Sequence, residues 1–278
     1  MHYNIQTIFI TGTSSGLGKQ TALYFAQQGW NVIATMRNPE REEELNQYKN
    51  IIIVKLDITS IIQIQEAIEY GIQRFRKIDV VVNNAGVGLY SALELATETD
   101  IDWQLATNVR GPINVIRAFL PHFRNNKGGR FINISSIMGL GAVMPLGSVY
   151  STSKFALEGL IEGLYYELKP LNIKLHLLEP GGFKSAFNDN LIFNENNKNK
   201  DYGFLASKVA EILSASYDSP LRTNPQKIVA TIYALATGRK KAFRTIIGKD
   251  AKILFVLRKI LPIKLFLFIV GKRFCIKA

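Results

Sequence analysis

Gln6-Thr7-Ile8-Phe9-Ile10-Thr11-Gly12-Thr13-Ser14-Ser15-Gly16-Leu17-Gly18 is the stretch that decides the fold. Residues 6–11 are apolar and β-branched, which predicts a short buried strand. The strand runs directly into glycines 12, 16 and 18 and then into a helix ending near Gly29. Glycines at a strand-to-helix turn let backbone N–H groups approach a pyrophosphate, which then rests on the helix N-terminus. Two other motifs overlap here. A Walker loop ending at Gly18-Lys19 needs glycine at 13 and a hydroxyl at 20, where the chain has Thr13 and Gln20. A nucleophile elbow does match over residues 12–16, but it needs an acid and then a histidine further on, and only His122 and His176 follow. A glycine-rich turn with no ligand is the bland alternative.

Outward from this stretch, strand and helix patterns alternate. Strands are expected over residues 31–37, 51–56, 78–82, 130–134, 172–178 and 243–248, with helices between them. That order implies βαβ crossovers and an α/β fold: a Rossmann-type, doubly wound parallel sheet with helices on both faces. A single domain over residues 1–250 and a tail over 251–278 are expected. Ligands of such sheets lie at the carboxyl ends of the strands, where the loop of residues 12–18, Arg37, Asp57, Asn84, Ser136 and Pro180 collect. Residues 98–123 read as one helix containing Pro112. Proline has no N–H, so a kink is expected there, with the Asn108 carbonyl free to hold a water.

Charge and composition exclude several classes. The net charge is +12, yet residues 239–278 hold 12 Lys and Arg against one acid, so the body is nearly neutral. A basic tail without a basic readout groove does not suggest nucleic-acid binding. One cysteine, Cys275, suggests a reducing compartment, and the three histidines lack metal-ligand spacing, so no metal is expected. The N-terminus enters a strand within a few residues, leaving no room for a signal peptide; a cytoplasmic location is expected. Arg37 ends the second strand where an acid would hold free ribose hydroxyls. A cation there, with Ser14, Lys19 and Asn38 as neighbours, favours a 2′-phosphate and therefore NADP(H) over NAD(H).

Tyr150 and Lys154 lie four apart at the start of a helical pattern, on one side and one turn apart. A phenol beside an ammonium can serve as an acid–base group. Together with Thr11-Gly12-x-x-x-Gly16-x-Gly18, Asn83-Asn84-Ala85-Gly86, Asn108, Ser136 and Pro180-Gly181, this pair resembles the short-chain dehydrogenase/reductase family from about Gln6 to Gly248. The resemblance implies that Tyr150 exchanges a proton with the substrate oxygen. It further implies that Lys154 binds the nicotinamide ribose and lowers the tyrosine pKa, that Ser136 orients the carbonyl, and that Asn108 holds a water linking Lys154 to solvent. Cofactor contacts are implied for Gly12, Ser14, Ser15, Gly16, Leu17 and Gly18, for Asp57 at the adenine, and for Asn84, Ala85 and Gly86. Pro180, Gly181, Phe183 and Ser185 would lie on the nicotinamide side. Ser136 and Tyr150 stand one residue further apart than is usual in the family, so a bulge is expected in the loop of residues 139–148. Ser185 stands where relatives often carry threonine.

Residues 183–222 should close over the substrate, with Phe183, Phe187, Leu191, Ile192, Phe193, Phe204 and Leu205 as an apolar wall and the polar stretch 188–201 as a mobile lid tip. Tyr90, Val143, Met144 and Leu146 would add to that wall. With no fixed charge in view, a small hydrophobic carbonyl or alcohol is the expected substrate. By resemblance it would be retinoid-, steroid- or lipid-like, with a 3-oxoacyl thioester or a non-catalytic NADP(H)-sensing role as alternatives. Residues 253–270 carry 14 Ile, Leu, Phe and Val residues among three cations and Pro262. At the bilayer centre the apolar residues contribute roughly −4 to −8 kcal/mol and the cations cost about 8–10 kcal/mol, so spanning is marginal. The tail therefore suits the inner face of a membrane, the body of the protein, or a second subunit of a homodimer.

Overall fold

The computed structural model describes residues 5–183, 191–215 and 223–276. Its strands are β1 (Thr7–Thr11), β2 (Asn31–Met36), β3 (Ile51–Lys55), β4 (Val80–Asn83), β5 (Gly88–Tyr90), β6 (Gly129–Ile134), β7 (Ile173–Pro180), β8 (Leu191–Phe193) and β9 (Arg244–Ile247). The helices are α1 (Gly16–Gln27), α2 (Ile61–Phe75), α3 (Glu98–Leu105), α4 (Gly111–Asn125), α5 (Ser148–Leu168), α6 (Gly203–Ala215), α7 (Pro225–Ala236), α8 (Lys249–Ile260) and α9 (Ile263–Arg273). Seven strands pair in the order β3-β2-β1-β4-β6-β7-β9, all parallel, as the strand–helix alternation requires. The chain winds outward from β1 to β3, then returns to place β4 on the other side of β1. Loops leaving β1 and β4 diverge at that switch point and open a crevice between them.

Both faces of the sheet are buried, so its strands are apolar at nearly every position. Ile8 and Ile10 of β1 pack with Phe25, Val229 and Ile232 of α1 and α7. Phe9, between them in sequence, points to the other face, where Phe119 of α4 meets its ring edge-on at 5.0 Å between centroids. This two-residue alternation decides which helices cover which face.

The helix expected over residues 98–123 is present as α3, a π turn at Ala106–Arg110, and α4. The wider winding falls where Pro112 withholds its N–H from the Asn108 carbonyl, a break of the kind that accompanies π bulges.

A second, two-stranded sheet pairs β5 with β8 in parallel, Gly88 opposite Leu191 and Tyr90 opposite Phe193. The expected mobile tip is corrected over its described residues, 191–201. Asn197, fully buried, accepts from the Ala92 N–H at 2.9 Å and donates to the Tyr90 carbonyl at 3.0 Å. Asn194 donates to Ser91 Oγ and to the Leu95 carbonyl. The asparagines face inward because the short edge of β5 and the turn after it leave backbone groups that need partners. Phe187 lies outside the described residues.

Beyond β9 the tail forms α8 and α9, interrupted at Pro262. Phe266 and Phe274 are buried, so its inner side packs on the body. Among the described residues no helix is long and apolar enough to cross a membrane.

Asn197→Ala would strand the buried Ala92 N–H, while the Tyr90 carbonyl would keep the Asn194 N–H as its donor. We expect a loss of about 1–3 kcal/mol in unfolding free energy, measured as a lowered urea midpoint.

Candidate active site

The crevice is a cleft of about 550 Å³ along the carboxyl edge of the sheet. The glycine loop forms its floor at one end, through Gly12, Ser14, Ser15, Gly16, Leu17 and Gly18. Gly12 has φ +70°, and a Cβ there would sit 2.8 Å from Ala85 Cα. At Gly18 a Cβ would lie 2.1 Å from the Gly12 carbonyl oxygen and 2.5 Å from Asn84 Nδ2. No side chain caps α1 at Ser15, so the first N–H groups of that helix are left for a ligand.

Asn84 holds this loop to the end of β4. Its Nδ2 donates to the Thr11 and Gly12 carbonyls, both at 2.9 Å. The Asn84 and Ala85 N–H groups both donate to Thr11 Oγ1 at 3.0 Å. Ala85 and Gly86 line the cleft beside them. Asp57 also lines it, with Oδ1 accepting from the Thr59 N–H and hydroxyl at 2.9 and 2.7 Å. Arg37, exposed at the end of β2, completes this end, and among the described residues no carboxylate forms an ion pair with it. Lys19 is a correction: Glu42 and Glu44 each engage its ammonium at 3.0 Å, and it does not line the cleft.

At the other end α5 brings in Tyr150 and Lys154. Lys154 Nζ donates to the Ile134 carbonyl at 3.0 Å and lies 5.8 Å from the centre of the Tyr150 ring. A Cβ on Gly86 would lie 3.9 Å from Lys154 Nζ and 3.5 Å from Asn108 Oδ1, so these groups converge beside the loop. Asn108 spends its amide on position: Oδ1 accepts from the Val87 N–H, and Nδ2 donates to the Val87 carbonyl and Ser153 Oγ. Ser136, at the end of β6, is hydrogen-bonded to Tyr150. In the loop that follows, Leu146 takes φ +62° and its carbonyl accepts from the Ser91 N–H at 2.7 Å.

Burial moves the two titrating groups toward their neutral forms. It pushes the Tyr150 phenol up to about 12, against a smaller opposing effect from the Ser136 hydrogen bond. It pulls the Lys154 ammonium down to about 8, with Glu158 opposing. The expected lowering of the tyrosine by the lysine is therefore not what the protein alone provides.

Behind Lys154 lies an acidic cluster around Arg244. The guanidinium pairs with Glu158 at 2.9 Å, with Glu162 at 2.7 Å, and with Glu179. Burial, then the neighbouring Glu158, pushes Glu179 up to about 9, and burial raises Glu158 as well. One cation does not neutralise three carboxylates, so the Glu158–Glu179 pair keeps a proton, which lets one carboxyl donate to the other.

The substrate end is walled by Tyr90, stacked with its centroid 6.4 Å from that of Tyr150, and by Val143, Met144, Leu191, Ile212 and Leu213. Pro180, Gly181 and Phe183 line the cleft nearby; Ser185 lies outside the described residues. Two charged residues here correct the expectation of an uncharged wall. Asp250 accepts from the Gly182 N–H at 2.8 Å, and Arg273 reaches the cleft from the end of α9. Both come from the C-terminal helices α8 and α9, and no spacing in the sequence signals them. His122 contacts the backbone of Ile78 and His176 that of Ala242; neither lines the cleft, so among the described residues the serine-hydrolase alternative has no histidine base near Ser14. Among the described residues no three His, Cys, Asp or Glu side chains gather as a metal site.

A glycine cradle with no room for Cβ atoms, an uncapped helix start and a cleft continuing to a buried tyrosine–lysine pair suit a dinucleotide with its reactive end at Tyr150. Comparison with known proteins agrees on the fold and on a nucleotide-binding oxidoreductase. The family model for short chain dehydrogenase matches residues 6–196. A 3-ketodihydrosphingosine reductase of Bacteroides thetaiotaomicron is 37% identical over 255 residues, covering 91% of this chain and 92% of that protein. A short-chain dehydrogenase from Streptomyces avermitilis superposes with a TM-score of 0.82 at 30% identity, covering 92% of each chain. ElxO, solved with NADP bound, superposes with a TM-score of 0.70 at 27% identity, covering 87% of this chain and 96% of its own. Other structures of the same fold were solved with NAD as well as with NADP.

The acidic pair makes stability depend on pH. Glu179 binds its proton more tightly folded, at about 9, than at its ordinary 4.5, so its contribution is full below about pH 4.5 and is lost as pH rises toward 9. Glu179→Gln should flatten that decline, seen as a smaller drop in urea midpoint between the acid and alkaline ends of this range than in the wild type.

Proposed function

The chain belongs to the short-chain dehydrogenase/reductase family and is an oxidoreductase, and we propose that it is an NADP(H)-dependent reductase of a hydrophobic, lipid-like ketone. The observation that carries this reading is one continuous cleft, joining the glycine loop and Arg37 at one end to Tyr150 and an apolar wall at the other. A bound nicotinamide cofactor would supply the hydride, or accept it in the reverse direction. The chain's residues would bind it, orient the carbonyl and move the proton.

Tyr150 is the proton donor in reduction. With its pKa held up to about 12 it carries the proton at neutral pH, beside the Ser136 hydroxyl that would orient the substrate oxygen. Lys154 is the ribose-binding cation. At about 8 its pKa keeps it mostly charged at neutral pH, and its charge would ease proton loss from the phenol. Asn108, pinned by Val87 and Ser153, would place a water between Lys154 and solvent. At the adenosine end the glycine loop would carry the pyrophosphate, with Asp57 and residues 84–86 alongside.

NADP(H) is favoured because Arg37, rather than an acid, ends β2 and lines the cleft. The lipid-like ketone is supported by the apolar wall and by the name of the Bacteroides relative. Such a substrate would place the enzyme in the cytoplasm at the inner face of a membrane. A second reading, reduction of a 3-oxoacyl thioester, is favoured by one observation: Arg273 at the cleft could hold a carrier phosphate. Comparing a long-chain free ketone with the acyl-carrier-bound 3-oxoacyl chain separates the two.

Fluorescence titration should give tighter binding of NADPH than of NADH. One charged hydrogen bond is worth about 1.5–3 kcal/mol, so roughly a 10- to 100-fold difference is expected, abolished in Arg37→Asp. Tighter NADH binding by the wild type would overturn the cofactor assignment. Tyr150→Phe should lower kcat by about 10²–10⁴ while leaving NADPH binding in place. Turnover near the wild-type rate in that variant would remove Tyr150 from the mechanism.

A further inference from the structure

The two C-terminal helices have an inner side fastened to the active site and an outer side that none of the other described residues covers. On the inner side, Asp250 in the first turn of α8 accepts from the Gly182 N–H. Phe266 packs so close to Gly141 that a Cβ there would be 3.2 Å from its ring. Phe274 sits in the cluster of Tyr90, Leu146 and Val209, and Arg273 lines the substrate end of the cleft. The tail is thus one wall of the catalytic cleft.

The outer side collects much of the apolar surface of the molecule. Of the 20 large apolar side chains exposed among the described residues, nine lie within residues 253–276, a small fraction of the chain. On α8, Ile253, Val256 and Ile260 make one stripe at helical spacing, 51–66% exposed, with Lys252 and Lys259 on the same side. On α9 the residues around buried Phe266 are outward: Leu265, Leu267, Phe268 and Ile269 are exposed, with Lys264 and Lys272 beside them. Residues 249–276 hold seven Lys and Arg against a single acid, and that acid, Asp250, is already bonded to Gly182.

Charge selects the occupant. A second copy meeting this face through a two-fold axis would set Lys252, Lys259, Lys264 and Lys272 against the same four cations, desolvating like charges together. An anionic lipid surface answers both features, accepting the apolar side chains below its headgroups and the cations among them. The helices suit that posture. At about 1.5 Å per residue, α8 and α9 are roughly 18 and 16 Å long, and the break at Pro262 keeps them from joining into a span of about 30 Å.

We propose that the outer face of α8 and α9 docks on an anionic bilayer and holds the substrate end of the cleft against it. The docking stands on the surface alone; that the bilayer delivers the substrate rests on the lipid-ketone reading above. The test is co-sedimentation of the full chain with vesicles of phosphatidylcholine and phosphatidylglycerol in equal parts, against phosphatidylcholine alone. The wild type should partition onto the mixed vesicles at least about tenfold better, and high salt should weaken that binding. Ile253→Glu with Phe268→Glu should reduce binding about tenfold while keeping the wild-type melting temperature, NADPH affinity and turnover of a short water-soluble ketone. Wild-type protein left in the supernatant with mixed vesicles would overturn the docking, as would a double variant that still binds. Concentration-dependent dimerisation abolished by the double variant, without vesicle binding, would assign the face to a second copy instead. Vesicle binding without turnover of any ketone would leave the docking standing and sink the lipid-ketone reading alone.

Discussion

Asn84 donating to the Thr11 and Gly12 carbonyls is the contact on which the rest of the cleft depends. It ties the first glycine turn to the end of β4, at the point where the connections of the sheet diverge. The tie works only at very short range. Gly12 meets Ala85 and Gly18 meets Gly12 with no space for a Cβ, so the backbone itself forms the floor and its N–H groups remain available to a ligand. Everything beyond that floor is placed by the sheet. β2 delivers Arg37, β6 delivers Ser136, and β7 delivers Pro180 and Gly181, because parallel strands end on the same edge.

The acid–base end shows a different constraint. Burial favours the neutral phenol at Tyr150 and the neutral amine at Lys154, which is opposite to the charged pairing that proton exchange needs. A cleft that is poorly tuned by itself would be retuned by a bound dinucleotide, whose ribose and charges would lie against Lys154. Glu158 adds to this from the next turn of α5, favouring the ammonium of Lys154, while Glu179 and Arg244 set how much negative charge stands behind it. A buried charge cluster thus stands on the far side of the lysine from Tyr150.

The substrate end is assembled from the parts of the chain furthest apart in sequence. β5 pairs with β8 about a hundred residues later, and Asn194 and Asn197 fasten that seam. Phe274 and Arg273 then arrive from the last helix. The wall facing the tyrosine is therefore the most composite part of the molecule, joined at one edge to an exposed apolar and basic surface.

Local regularities determined what could be known from the sequence alone. Strand and helix periods set the α/β alternation, and alternation requires a parallel sheet with its ligand at one edge. The four-residue spacing of Tyr150 and Lys154 puts them on one side of a helix wherever that helix goes. Pro112 must interrupt its hydrogen-bond ladder, and a π turn is found there. Tertiary structure decided what depends on distant partners. Lys19 is near the glycine loop in sequence, yet Glu42 and Glu44 claim it. The asparagines of residues 191–201 read as a solvated tip, yet backbone groups of residues 90–95 draw Asn194 and Asn197 inward. The tail read as membrane-bound or as packed on the body or a second subunit, and the burial of Phe266 and Phe274 fixes where its inner side lies. Even the pKa values belong to this second group, because desolvation is a property of the packed fold and leaves no trace in residue spacing.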